Sequence, residues 1–262
     1  MHTFLLYARY LAVAGRSQLQ YRASFLLLAS STLLATGVEF TGVWALFTRF
    51  GALKGWTLAE AAVLFGTVNM AFSLADAFGT AFDQFATLVK SGDFDRLLVR
   101  PRSTVMQVAG QEIALRRVGK LIAGLACVVW GIGALHAPLT VTRVAAWFLA
   151  LSSAAALFAG LFILQGALAF FTTETLEVMN IATYGGCETA QYPFDVYRPW
   201  LRWLFTLVVP LALAIYRPLL IVLGRTTPSF LDWVSPVAGP LFLGFAVACW
   251  NAGVRRYQST GS

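Results

Sequence analysis

Residues 23–48 read ASFLLLASSTLLATGVEFTGVWALFT. The run holds one acid, Glu39, and no base, and its length carries an α-helix across a hydrocarbon core of about 30 Å. That is a membrane span. The rest of the chain is of the same kind. Of its 262 residues 58% are apolar and 12% charged, whereas soluble domains carry about 25% charged residues. A soluble core could not hide so much apolar surface, so the surplus faces lipid. The fold class is all-α, and the chain is a polytopic membrane protein.

Working outward from this span, residues 1–22 place Phe4, Ala8, Leu11 and Ala12 on one helical face, with Arg9, Arg16 and Arg22 among the polar positions. The pattern predicts a helix lying in the interface and feeding the first span. No basic run precedes a short apolar core there, so a cleaved signal is not expected. On the other side a second span covers 57–82, opened by Thr57 and Glu60 at capping-box spacing. A polar stretch follows. Further spans are expected over 117–136, 145–171, 200–222 and 233–251, giving six in all. The fifth carries Pro210 and Pro218. Proline frees backbone groups that neighbours or a cavity must satisfy, and Pro218 is a candidate break into a re-entrant segment. Residues 172–198 are mixed in polarity and read as interfacial or cytoplasmic.

Charge sets the orientation. With the N-terminus inside, the inner loops hold Arg9, Arg16, Arg22, Lys90, Arg96, Arg100, Arg102, Arg116, Arg117, Lys120, Arg198, Arg202, Arg255 and Arg256, leaving Arg49, Lys54, Arg143, Arg217 and Arg225 outside. Basic residues collect on the cytoplasmic side, so both termini are expected there. The net charge of +7 thereby finds a use without nucleic acid as a partner. Cys127, Cys187 and Cys249 share no ligand spacing, and His2 and His136 are far apart. No GxxxxGK[ST], HExxH or G-x-S-x-G run occurs, so this chain is expected to bind no nucleotide or metal of its own and to carry no catalytic residue.

One short polar run stands out: LVKSGDFDRLLVRP, residues 88–101. Ser91 or Asp93 can cap a helix after Gly92, and Pro101 stops it. Phe94, Leu97 and Leu98 form an apolar stripe, with Asp93, Asp95, Arg96 and Arg100 around it. Such a helix either lies on the bilayer or docks a soluble partner, and pattern alone does not separate the two. Glu39 and Asp76 fall inside spans. They read either as lining of a polar route, with Pro210, or as groups paired to another helix or set near a membrane end.

SGDFDRLLVRP resembles the G-x-[FL]-D-x-L-L-x-R-P stretch of ABC-2-type transporter permeases, in the branch of small six-span bacterial permeases that work beside a separate ATPase. GWTLAEAAVLFG (55–66), YPFDVYRPWLRWLFTLVVPLALAIYRPLLIVLG (192–224) and VRRYQSTGS (254–262) resemble the same family. TYGGCETAQ (183–191) departs from it in being more polar. The resemblance implies a type V exporter-like fold in the bacterial inner membrane, with residues 1–22 as an elbow helix. It implies that Ser91–Pro101 is a coupling helix in a groove of the ATPase, with Phe94 and Leu97 as anchors and Asp93, Asp95, Arg96 and Arg100 at the rim. It implies ATP and Mg on that partner, and a second permease, identical or paired, around a central path in surrounding lipid. The competing expectations are a gradient-driven carrier using Glu39 or Asp76 as a proton site, and a membrane scaffold or lipid-modifying enzyme.

Overall fold

The computed structural model describes residues 20–112, 114–136, 138–171 and 176–257. The interfacial helix expected over 1–22 lies, but for its last three residues, outside them. The described chain is helical, apart from a single bridge between Leu53 and Trp56. Six helices carry the fold: α1 (Arg22–Phe50), α2 (Leu58–Asp83), α3 (Val118–Ala134), α4 (Val141–Leu168), α5 (Leu176–Ala190) and α6 (Ala238–Arg256). Among the described residues four stretches are long and apolar enough to cross a membrane: α1, α2 with its continuation to Lys90, α4, and α6 with the turn from Phe230. The apolar α3 is shorter, at 17 residues.

α2 is the axis. It begins where the sequence predicts, with the Thr57 and Glu60 side chains each bonding the other's backbone N–H. Nearly its whole length is buried, with α3 and α4 packed along it. α3 runs antiparallel to α2, Gly131 meeting Ala59 and Gly124 meeting Gly66. At Gly66 an added Cβ would lie 2.3 Å from the Gly124 carbonyl oxygen, so only glycine lets the backbones come this close. Without a hydrophobic drive between helices in lipid, such close approach is what holds them. α6 lies along α4, its Trp250 against Gly166. α1 touches the bundle mainly through α3 and buries only Thr36, Val43 and Phe47.

The bundle has two ends. At the hairpin end lie 51–57, 135–136 and 138–140; at the basic end lie the loops of 84–112 and 114–117, Phe170 and the α6 terminus with Arg255 and Arg256. One expectation fails here. The stretch over 200–222 is not a straight span: Pro199–Val208 and Ala212–Val222 meet at 83°. Pro210 has no N–H to continue the ladder, and the turns on both sides of it are wide π turns. Both limbs are tied to the hairpin end. Before the bend, Asp195 accepts from the Trp56 indole at 3.3 Å; after it, Arg225 pairs with Glu60 at 2.6 Å. The stretch therefore enters and leaves at one end. Arg202 bonds the Asp195 and Tyr197 carbonyls, so Arg198 and Arg202 sit at the hairpin end, opposite to where the charge count put them. Moving these two arginines narrows the charge bias without reversing it. α5 and the residues after it carry the chain from the Phe170 end to the Trp56 end, where the sequence reading had an interfacial or cytoplasmic segment.

Candidate functional site

The run 88–101 folds as a tight knob on the basic end. Gly92 takes a positive φ of 74°, which lets the backbone reverse so that the Phe94 N–H reaches the Leu88 carbonyl at 3.3 Å. A single helical turn, Asp95–Leu98, follows. No side chain caps it; the Ser91 hydroxyl instead donates to Asp93 at 2.9 Å, and Asp93 pairs with Arg96 at 3.3 Å. Beyond Pro101 the Gln107 amide donates to the Leu97 and Arg102 carbonyls, closing the knob onto the helix Thr104–Ala109.

Phe94 and Leu97 are not available as groove anchors. Phe94 is 0% exposed and Leu97 5%. The Phe94 ring meets Phe85 at 5.0 Å, Tyr257 at 5.2 Å and Phe170 at 5.4 Å between centroids, and Trp250 lies beneath at 4.5 Å from Phe85. The Trp250 indole donates to the Thr104 hydroxyl at 2.9 Å. An aromatic cluster drawn from the ends of α2, α4 and α6 thus grips the knob from inside, each edge-to-face pair adding about 1 kcal/mol to the burial itself. Burial first, then the facing Asp95 carboxylate, pushes the Tyr257 phenol above its ordinary value. The outward surface comprises Ser91, Asp93, Arg96, Leu98, Val99, Arg100, Pro101 and Arg102, with Val99 84% exposed. The stripe is real, but its aromatic half faces the chain's own core.

Behind the knob the polar groups of α2 find partners on other helices. Asp76 is fully buried and lies 2.6 Å from the Arg117 guanidinium, an ion pair by distance rather than an aligned hydrogen bond. About two turns further on, Asp83 accepts from the Tyr184 hydroxyl of α5 at 3.1 Å. Of the two readings of Asp76, the geometry carries the paired one. Glu39 is exposed on α1, within electrostatic reach of Glu188 on α5, which Lys120 also influences. Pro210 stands at the bend, where its neighbour Leu211 lies against Gly186 of α5. Asp76 thus faces Arg117 and Glu39 stays exposed on α1, each with neighbours other than those of the bend. Among the described residues no cluster of His, Cys, Asp or Glu could hold a metal.

At the hairpin end a second network fastens the bent pair to α2. Arg225 makes a forked contact to Glu60, at 2.6 and 2.8 Å, bonds the Gly55 carbonyl, and stacks over Trp56 at 4.5 Å. The Glu60 carboxylate holds the guanidinium above its ordinary value. Tyr216 donates to Asp195 and lies against the same indole at 5.6 Å.

A family model described as ABC-2 family transporter protein matches residues 33–261. The chain belongs to that family. None of the curated proteins and none of the solved structures compared with it matches. As an ABC-2 permease it is a multi-pass membrane component of an ATP-binding-cassette transporter, a kind of subunit that works with an ATPase component. In this ABC-2 permease the residues that sequence reasoning passed over are Trp250, Tyr257, Tyr184 and Asp195. Each gains its role from a contact across the chain, and no local spacing announces such a contact. Arg117 reads in the sequence only as one of the basic residues counted on the inner side.

Proposed function

We propose that the permease is an exporter subunit driven by a separate ATPase, which docks on the outward surface of the 91–102 knob. The observation that carries this reading is the pairing of an exposed, basic and partly apolar face with a rigid hold: Arg96, Leu98, Val99 and Arg100 face outward on a segment whose Phe94 is clamped among α2, α4 and α6. A push on the knob reaches three helices at once through close-packed rings, because a core of that density moves as a body. Leu98 and Val99, not Phe94 and Leu97, are the apolar contacts offered to the ATPase, and Arg96, Arg100 and Arg102 form their polar rim. ATP and Mg belong to the partner.

In this reading the basic end is cytoplasmic, as the bias of Lys and Arg supports, and the membrane is the bacterial inner membrane. Six crossings result when α1, α2, α3, α4, α5 and α6 each traverse, the bent pair remaining re-entrant on the outer side. α1 leaves most of its apolar surface and Glu39 uncovered, which supports a second permease, identical or homologous, packed against that face. Export is supported by the family alone.

The test is a Leu98→Asp/Val99→Asp double variant, expressed with its partner ATPase component. Both positions are exposed, so the permease still inserts and purifies. The expected result is loss of ATPase co-purification and of transport-linked ATP hydrolysis. Undiminished co-purification and transport would refute the docking face.

A further inference from the structure

α3 and α4 both pack along α2 but hardly touch one another, and at the hairpin end they leave a cleft of about 230 Å³. Leu125 and Val129 of α3 form one wall, Val144 and Trp147 of α4 the other, and Leu223 closes the top. The Trp147 indole reaches across to the Thr67 hydroxyl of α2 at 3.0 Å, which fixes the ring in the wall. The cleft opens sideways: Val129 is 64% exposed and Val144 40%. Its one charged member is Arg143, in the first turn of α4, whose side chain donates to the Pro138 carbonyl at 3.3 Å. Among the described residues no carboxylate pairs with this guanidinium. The start of a 28-residue helix adds positive potential at the same place.

We infer that this cleft binds one acyl chain of an anionic phospholipid, with Arg143 holding its phosphate. The inference uses only the chain's being a membrane protein and is independent of the ATPase. Size and chemistry choose the occupant. An apolar cavity of ~150 Å³ accepts a molecule the size of benzene, whereas sites for drug-sized solutes run to about 300 Å³ and beyond with several polar groups to orient them. A slender chain entering from the side fits the former better, and an arginine fork at the mouth matches phosphate oxygens. A zwitterionic headgroup presents the same phosphate beside its own cation, which opposes Arg143.

The experiment titrates the purified permease, in non-ionic detergent, with phosphatidylglycerol or phosphatidylcholine carrying brominated acyl chains, and reads tryptophan fluorescence. A Trp147→Phe variant gives the Trp147 share by difference. That share is expected to quench at about tenfold lower mole fraction of phosphatidylglycerol than of phosphatidylcholine. Arg143→Gln brings the two lipids level, and Val144→Phe, which fills the cleft, weakens both. Equal titration by the two lipids in the unaltered protein, or a preference that survives Arg143→Gln, overturns the proposal. So does the absence of Trp147 quenching by either lipid, the result expected if another protein chain covers the cleft.

Discussion

Replacing Arg117 by alanine removes the cation beside a carboxylate buried in the middle of the fold. The Asp76 side chain is 0% exposed, whereas Arg117 is 23% exposed and sits at a helix start near the basic end. The two halves of this pair are therefore unequal. Without Arg117, Asp76 must either stay charged in a dry site or take up a proton, and breaking a buried pair in this way costs about 3–5 kcal/mol. Without the Asp76 charge, in Asp76→Asn, Arg117 can turn its open side to water or lipid phosphate, which limits the loss to about 1–2 kcal/mol. At roughly 2–4 °C per kcal/mol for a chain of this size, Arg117→Ala lowers the unfolding midpoint by about 10 °C and Asp76→Asn by about 4 °C. The double variant Asp76→Asn/Arg117→Met removes both charges and keeps the stem, and lies within about 3 °C of the unaltered protein. The assay is the surviving monodisperse fraction after heating in detergent, followed by size exclusion. An Asp76→Asn loss equal to or larger than that of Arg117→Ala, or a double variant worse than either single one, would refute the reasoning.

The other expectations follow from close contacts. Phe94→Ala removes the ring on which the knob turns and lowers stability by about 3–5 kcal/mol, read as a fallen unfolding midpoint, while Val99→Asp leaves that midpoint unchanged. Gly66→Ala drives a methyl into the Gly124 carbonyl, a backbone atom that cannot swing aside; it costs about 3 kcal/mol and shows as loss of the monodisperse peak in size exclusion. Arg225→Met leaves Glu60 without its cation and loosens the bent pair from α2 by about 3 kcal/mol. A cysteine placed at Trp203 then gains reactivity toward a membrane-impermeant maleimide.

Much of the fold was legible because lipid is a demanding solvent. Backbone groups in it must be bonded within the segment, so spans announce themselves as long apolar runs, and α1, α2 and α4 stand close to where those runs lie. The start of α2 was legible for a local reason, since Thr57 and Glu60 are three residues apart and bond one another. The bent pair was not. Pro210 marked a break, but whether the chain crosses or returns depends on Asp195 finding Trp56, 139 residues away. At the knob the apolar stripe was visible and its direction was not. Phe94, Leu97 and Leu98 keep one spacing whether the surface they meet belongs to a partner or to the same chain. Only the aromatic ends of α2, α4 and α6 decide it, turning Phe94 inward and leaving Leu98 and Val99 outside. Asp76 showed itself as an acid inside a span, yet its partner lies in a different helix start, beyond the reach of any periodicity.

The most direct measurement is site-specific photo-cross-linking in native membranes. A photoreactive side chain is placed singly at Val99, at Phe94 and at Leu53, and the products are probed for the partner ATPase component. The expected result is a permease–ATPase adduct from Val99 and none from Phe94 or from Leu53 at the hairpin end. An adduct from Leu53, or the lack of any adduct from Val99 in membranes where the two proteins co-purify, would contradict docking on the 91–102 knob.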